Sequence, residues 1–360
     1  LRLQLTISII TTMKMFLLIT LLFAPNLKAQ TKKFKSAHHE FKLETLAEQH
    51  DVIWGFDFLG PELLIFTERS GKMKILNLSS KKVTELSGVP KVLSEGQGGL
   101  LDVRVFEKNK IFFTYTEAQK GSLSSTVLSS AEVDGSALKN VKKIFTAAPA
   151  AETAIHYGSR IEFDGKKYLY VSSGERNERK QVQNKDSDLG KILRFTLEGP
   201  TVRELWSYGH RNPQGLAKSP DGTLWEAEMG PQGGDEINLI EKGKNYGWPD
   251  VTYGREYTGQ PIGQKTKSGI TEPIAYWVPS ISPSGISFYT GDKFSSWTGN
   301  LFVGTLSGQH LRRLKIENRK VIEQEELLKS EHLRVRNVRT GPDGNLYIST
   351  DSGSIARLTP

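Results

Sequence analysis

The residues able to do chemistry gather in a few short segments. Gly96-Gln-Gly-Gly-Leu-Leu-Asp102, Tyr208-Gly-His-Arg-Asn-Pro-Gln-Gly215 and Met229-Gly-Pro-Gln-Gly-Gly-Asp-Glu-Ile-Asn238, the last running on to Asn245-Tyr-Gly-Trp-Pro249, are too polar for a core and too glycine-rich for strands. Two more segments carry a titratable or cationic group: Thr153-Ala-Ile-His-Tyr-Gly-Ser-Arg160 and Arg334-Val-Arg336. Imidazole titrates near neutral pH and suits proton transfer, while guanidinium offers a planar fork of donors that matches a carboxylate. In a strand, Arg334 and Arg336 project from one face, which suits clamping one anion; a solvated charge pair on an edge strand is the plainer reading. A single histidine is commonly structural, and the plain alternative for Glu236 is an exposed strand charge. The chain has no cysteine, so a metal must be held by oxygen or imidazole ligands, which favours a hard cation.

These segments lie between repeats of one pattern. A turn-like stretch followed by a short strand of large apolar residues recurs six times, at Leu63-Leu-Ile-Phe, Ile111-Phe-Phe-Thr, Tyr168-Leu-Tyr-Val, Leu224-Trp-Glu-Ala, Leu301-Phe-Val-Gly and Leu346-Tyr-Ile-Ser. Asp221-Gly222, Gly299-Asn300 and Asp343-Gly344 precede three of them at hairpin positions, where positive φ is needed. A second β-like run follows each strand after a loop. Successive starts lie 48, 57, 56, 77 and 45 residues apart, a period that suits one four-stranded propeller blade. Six units predict an all-β, six-bladed propeller of four-stranded antiparallel blades. The 77-residue interval must hold an insertion, and it contains the Gly- and Pro-rich stretch from Tyr246 to Pro273.

A mean hydropathy of −0.40 and 34 glycines describe a turn-rich globule. The long apolar run near the start, Met13 to Ala29, reads as a secretory signal peptide cleaved after Ala29, with residues 1–12 as upstream translation; its core is short for a membrane anchor. Residues 1–29 are therefore assigned to leader and upstream sequence, 30–38 to a linker, and 39–360 to a single propeller domain. Loss of Arg2, Lys14 and Lys28 with the leader lowers the formal charge from +8 to +5, too little to argue for nucleic acid. The mature protein is expected in the periplasm or secreted, without membrane insertion.

From Val52 to the C-terminus the sequence resembles the glucose/sorbosone dehydrogenase family, specifically its soluble aldose sugar dehydrogenases. Gly-Gln-Gly-Gly-Leu-Leu-Asp, Arg-Asn-Pro-Gln-Gly, Gly-Asp-Glu-Ile-Asn-Leu-Ile and Asn-Tyr-Gly-Trp-Pro carry the likeness together and in order. The resemblance implies pyrroloquinoline quinone (PQQ), a flat ortho-quinone with three carboxylates, bound across one end of the propeller with calcium. It implies that Gln97, Arg211, Asn212, Tyr257, Arg334 and Arg336 contact PQQ, with Ser307 at a further contact position. His156 would be the general base, taking the proton from an aldose anomeric hydroxyl as hydride passes from C1 to the quinone and the sugar becomes a lactone. Arg211 would stabilise charge developing on the quinone oxygen. The carbonyls of Gly230 and Pro231 would hold the cofactor-bound calcium, and Glu236 and Tyr246 a further one.

The chain departs from this pattern at three positions. Ser307 stands where the family carries a lysine, Met229 replaces a polar residue, and Asn337 stands where aspartate follows the arginine pair. Losing one charge-assisted contact to a desolvated carboxylate costs about 2–5 kcal/mol, enough to threaten cofactor binding. Two functions therefore compete: an oxidoreductase that passes electrons from aldoses to an external acceptor, and a carbohydrate- or protein-binding propeller without tight PQQ binding. The oligomeric state is left open between monomer and homodimer.

Overall fold

Each apolar run recognised above alternates side chains between two faces, and both faces are buried, so each sheet must be sandwiched between neighbours. The computed structural model, which describes residues 32–165, 167–197 and 201–360, meets that need with a ring of six antiparallel sheets. The six predicted strands are the second strands of the blades, and the runs after them are the third strands, as in Leu63–Glu68 paired with Lys72–Asn77. Gly222, Gly299 and Gly344 take φ of 87°, 76° and 77°, as the turns require.

The innermost strands are Ile53–Phe58, Leu100–Glu107, Gly158–Asp164, Pro213–Lys218, Pro283–Phe288 and Val335–Thr340. Apolar clusters fill the spaces between successive blades. Ile65, Leu100 and Phe113 pack between blades 1 and 2, and Trp225, Ile286 and Leu301 between blades 4 and 5. Phe41, Trp297, Phe302 and Leu346 form the corresponding core between blades 5 and 6.

Blade 6 departs from the four-strand expectation. Its outer strand, Glu40–Ala47, comes from the N-terminal end and pairs with Ile355–Thr359 from the C-terminal end, with Lys42 opposite Thr359 and Ala47 opposite Ile355. This pairing closes the ring and covers edges that would otherwise be exposed. Lys33–Lys35 adds a fifth strand to that sheet, so the stretch expected as a linker, 30–38, contributes to the blade. The predicted leader lies outside the described residues. The expected insertion falls between the third and fourth strands of blade 4, Asp235–Ile240 and Ala275–Trp277.

Candidate active site

In every blade the second strand ends, and the inner strand begins, at the same end of the ring. Residues just after one and just before the other therefore meet around a central cavity of about 400 Å³. Every blade contributes: Trp54 and Arg69, Gln97 and Leu101, Tyr157, then Asn212, Gln214 and Met229, then Ser282 and Leu306, and finally Arg334, Arg336 and Asp351. Four of the predicted cofactor contacts, Gln97, Asn212, Arg334 and Arg336, are thus brought together in one cavity.

His156 adjoins it. Its backbone N–H donates to Gln97 Oε1 at 2.9 Å, and its Nδ1 lies 2.6 Å from Glu175 Oε1. His156 is 7% exposed and Glu175 1%, so the pair is shielded from water. His156 has φ of 52°, and a Cβ on Gly174 would fall 1.9 Å from its carbonyl oxygen; the Ser-Ser-Gly-Glu turn can approach only because residue 174 is glycine. Burial lowers the imidazole pKa, the Glu175 hydrogen bond opposes that, and Arg211 lowers it further. With Glu175 as the acceptor, the proton is assigned to Nδ1, which leaves Nε2 as the acceptor facing away from that pair.

Arg334 and Arg336 flank Asp351. Arg336 makes two bonds to that carboxylate, Nε to Oδ1 at 2.7 Å and Nη2 to Oδ2 at 3.0 Å, and Arg334 Nε reaches Oδ2 at 3.1 Å. The solvated-pair reading fails for Arg336, which lies on the axial edge strand of blade 6 with its side chain 11% exposed, whereas Arg334, just before that strand, is 47% exposed. Beneath the cavity, Arg160 Nη1 bonds Asp102 Oδ1 at 3.1 Å, and its Nε donates to the Gln214 carbonyl at 2.9 Å. Its guanidinium also lies 4.1 Å from the Trp54 ring centre, tying blades 1 to 4 at the axis.

Arg211 lies in the wall beside this cavity. Its Nη1 donates to the carbonyls of Met229 at 3.0 Å and Gly230 at 2.8 Å, and Nε is buried without a partner. The Gly230 carbonyl expected to face calcium is therefore occupied by a guanidinium. Pro231 is buried next to it. Glu236 is 6% exposed, which excludes the exposed-charge reading. With Tyr246, Glu228 and Arg211 it lines a void of about 10 Å³, room for one water or one ion. The Tyr246 phenol is committed elsewhere, donating to the Leu239 carbonyl and accepting from Glu241 N–H, so only its backbone is free to meet an ion.

Sequence reasoning missed the rest of this cluster. Asn238 Nδ2 bridges Glu226 at 3.1 Å and Glu236 at 3.3 Å, while Glu226 Oε1, Asn238 Oδ1 and His210 Nδ1 are buried without partners. Burial, reinforced by repulsion from Glu228, raises the carboxyl pKa values of Glu226 and Glu236 well above the ordinary range. Burial likewise pushes Glu228 up to about 7, and the bond from Arg211 N–H opposes it. Tyr257 and Ser307 stand outside the cavity lining. Tyr257 is 73% exposed, and Ser307 sits at the rim with Oγ 2.8 Å from the hydroxyl of Ser282.

The family model described as Glucose / Sorbosone dehydrogenase matches residues 50–357. The aldose sugar dehydrogenase of Escherichia coli K12 is 37% identical over 343 residues, covering 88% of this chain and 92% of that protein. Quinoprotein glucose dehydrogenase B of Acinetobacter calcoaceticus is 26% identical over 447 residues, covering 96% and 92%. Among solved structures, the apo form of the soluble Escherichia coli aldose sugar dehydrogenase superposes with a TM-score of 0.85 at 36% identity, covering 89% of this chain and 99% of that one. The PQQ-bound aldose sugar dehydrogenase of Streptomyces coelicolor gives 0.74 at 26% identity, covering 89% and 98%.

Proposed function

This chain belongs to the glucose/sorbosone dehydrogenase family, and we propose that it is a PQQ-dependent sugar dehydrogenase that oxidises aldoses at C1 to lactones. The observation that carries the reading is the buried His156–Glu175 pair, joined through Gln97 to a cavity lined by Arg69, Arg334 and Arg336. A cavity of about 400 Å³ with planar cationic donors suits a flat polycarboxylate. The partnerless Glu226, Asn238 and His210 atoms beside the ion-sized void suit a hard cation ligated by carboxylates and the Tyr246 carbonyl. Calcium at the Gly230 carbonyl requires Arg211 to withdraw from it, since both are positive.

When bound, PQQ supplies a two-electron quinone oxidant and calcium a Lewis acid acting on it. Gln97, Asn212, Arg334 and Arg336, which line the cavity, would hold and orient the cofactor. His156 Nε2 accepts the C1 hydroxyl proton, while Glu175 holds the tautomer and stabilises the imidazolium that forms. Arg211, whose charge already acts on His156, would add positive potential near the bound quinone once it withdraws from the Met229 and Gly230 carbonyls. The proposed activity would need an external electron acceptor, as suits an exported enzyme acting in the periplasm or outside the cell; among the described residues no helix is long and apolar enough to cross a membrane.

The test is reconstitution of purified protein with PQQ and calcium, followed by dye-linked oxidation of several aldoses. His156→Ala should lose at least about a hundredfold in turnover while binding PQQ as the parent does. Parental turnover in that variant refutes the base assignment. Absence of PQQ binding to the parent favours the binding-module alternative, which the serine at 307 supports.

A further inference from the structure

We propose that Arg69 is the third cation of the cofactor pocket and binds a carboxylate of the quinone. The inference rests on the PQQ reading above and extends it to a residue in none of the sequence motifs.

The charge of the cavity motivates it. Arg334 and Arg336 both spend their forks on Asp351, so that face presents one net positive charge to a ligand with three carboxylates. Arg211 is turned away toward the Met229 and Gly230 carbonyls and does not line this cavity. Arg69 does line it, and its guanidinium makes one protein hydrogen bond, from Nη1 to the Gly96 carbonyl at 2.7 Å. The nearby Asp51 carboxylate accepts from Ser70 N–H at 2.8 Å and interacts with the Arg69 charge only at longer range than a salt bridge. Nε and Nη2 of Arg69 are thus left for an anion.

The side chain is also held in place. Arg69 N–H donates to the Val52 carbonyl at 2.9 Å, and its own carbonyl accepts from Leu100 N–H at 3.1 Å. A Cβ on Gly99 would lie 1.9 Å from the Arg69 carbonyl oxygen and 2.7 Å from its Cγ. The Gly-Gln-Gly-Gly loop therefore seats Arg69 as well as Gln97, and glycine at 99 is what lets the two segments touch. A guanidinium anchored at one nitrogen loses little freedom on binding a planar anion. Ser307 gives a second route to the same charge, because its hydroxyl lies 2.8 Å from that of Ser282, which lines the cavity.

The experiment is a PQQ titration of metal-loaded apoprotein, read by quenching of intrinsic fluorescence, at low and moderate salt. Arg69→Gln should weaken binding at least about tenfold, Arg69→Lys less, and Ser307→Lys in the Arg69→Gln background should recover most of the loss. The salt dependence should shrink in Arg69→Gln and return in the double variant. Parental PQQ affinity in Arg69→Gln overturns the proposal and leaves the PQQ reading intact. So does a loss that Ser307→Lys cannot recover together with a lowered melting temperature, which marks Arg69 as a clamp of the loop. An unchanged PQQ affinity with a raised KM for aldose assigns Arg69 to the sugar instead. A parent that binds no PQQ removes the underlying reading, and this proposal with it.

Discussion

Glu175→Gln separates positioning of the base from its chemistry. The substitution keeps shape and volume in a site where Glu175 is 1% exposed, so packing is preserved. What it removes is the charge facing His156 Nδ1 across 2.6 Å. A hydrogen bond to a charged group contributes about 1.5–3 kcal/mol, and this one strengthens as the imidazole gains its proton in the transition state. Turnover should therefore fall at least about thirtyfold, near 2 kcal/mol, and further if the glutamine amide nitrogen faces Nδ1 and inverts the tautomer. The pH profile gives an independent sign. Glu175 raises the His156 pKa against burial and Arg211, so its loss moves the acid limb of kcat/KM to lower pH. The assay is dye-linked turnover of reconstituted enzyme from pH 5 to 9, with PQQ affinity measured alongside. PQQ affinity should stay within about twofold, since Glu175 does not line the cavity. A turnover within threefold of the parent, or an acid limb that stays put or moves up, refutes the pairing as the source of the base's efficiency.

Calcium should raise the melting temperature more at pH 8 than at pH 5.5. Glu226, Glu228 and Glu236 have raised carboxyl pKa values in the fold, so the stability they contribute is full below the unfolded value, near 4.5, and is lost as pH rises through the folded ones, about 7 for Glu228. His210, held neutral with a pKa of about 3, works the other way below 6.5, one group against three. A divalent ion replaces the protons and relieves the repulsion, so equal melting shifts at the two pH values would refute a carboxylate-held metal there. Asp102→Ala should cost about 3–5 kcal/mol, because it strands the Arg160 charge at 1% exposure; a loss below about 1 kcal/mol on urea unfolding would show the axial network to be dispensable.

The middle strands of each blade were legible because their signals are local. Apolar alternation and Asp-Gly turns identify the second and third strands from a dozen residues at a time. The inner strands escaped that reading because they carry glycine where blades crowd the axis. A Cβ on Gly55 would lie 2.5 Å from Asp102 Oδ1, one on Gly215 2.4 Å from the Ser284 carbonyl, and one on Gly285 2.2 Å from Asn337 Oδ1. Of the site, Gln97, Asn212, Arg334 and Arg336 stood out through their motifs. Glu175, Asp351 and Arg69 did not, since each acts on a residue from another segment. A positional signal existed: Arg69, Met229, Leu306 and Asp351 each follow directly on a second strand, and Glu175 does so two residues later. Tyr257, expected from the resemblance alone, lies outside the cavity lining and is exposed.

The same geometry explains how the site can change while the ring does not. Its residues sit on short turns and on the first residues of the inner strands at one end, whereas the load of the fold is carried by the clusters between blades and by the Asp102–Arg160 network beneath. Ser307 is exposed, and its side chain bonds only the Ser282 hydroxyl and the Ser280 carbonyl, so replacing a cation there disturbs no core packing. The charge itself need not come from that blade. Because all six blades converge on one cavity, an arginine from blade 1 and a side chain from blade 5 approach the same ligand, and an anion responds to the sum of the charges around it. That convergence depends on closure. The position of Arg334 and Arg336 relative to Arg69 is fixed by the Glu40–Ala47 strand paired with Ile355–Thr359, by the apolar cluster between blades 6 and 1, and by the bonds of Arg339 to the Phe56 carbonyl and Ser349 to the Ile53 carbonyl.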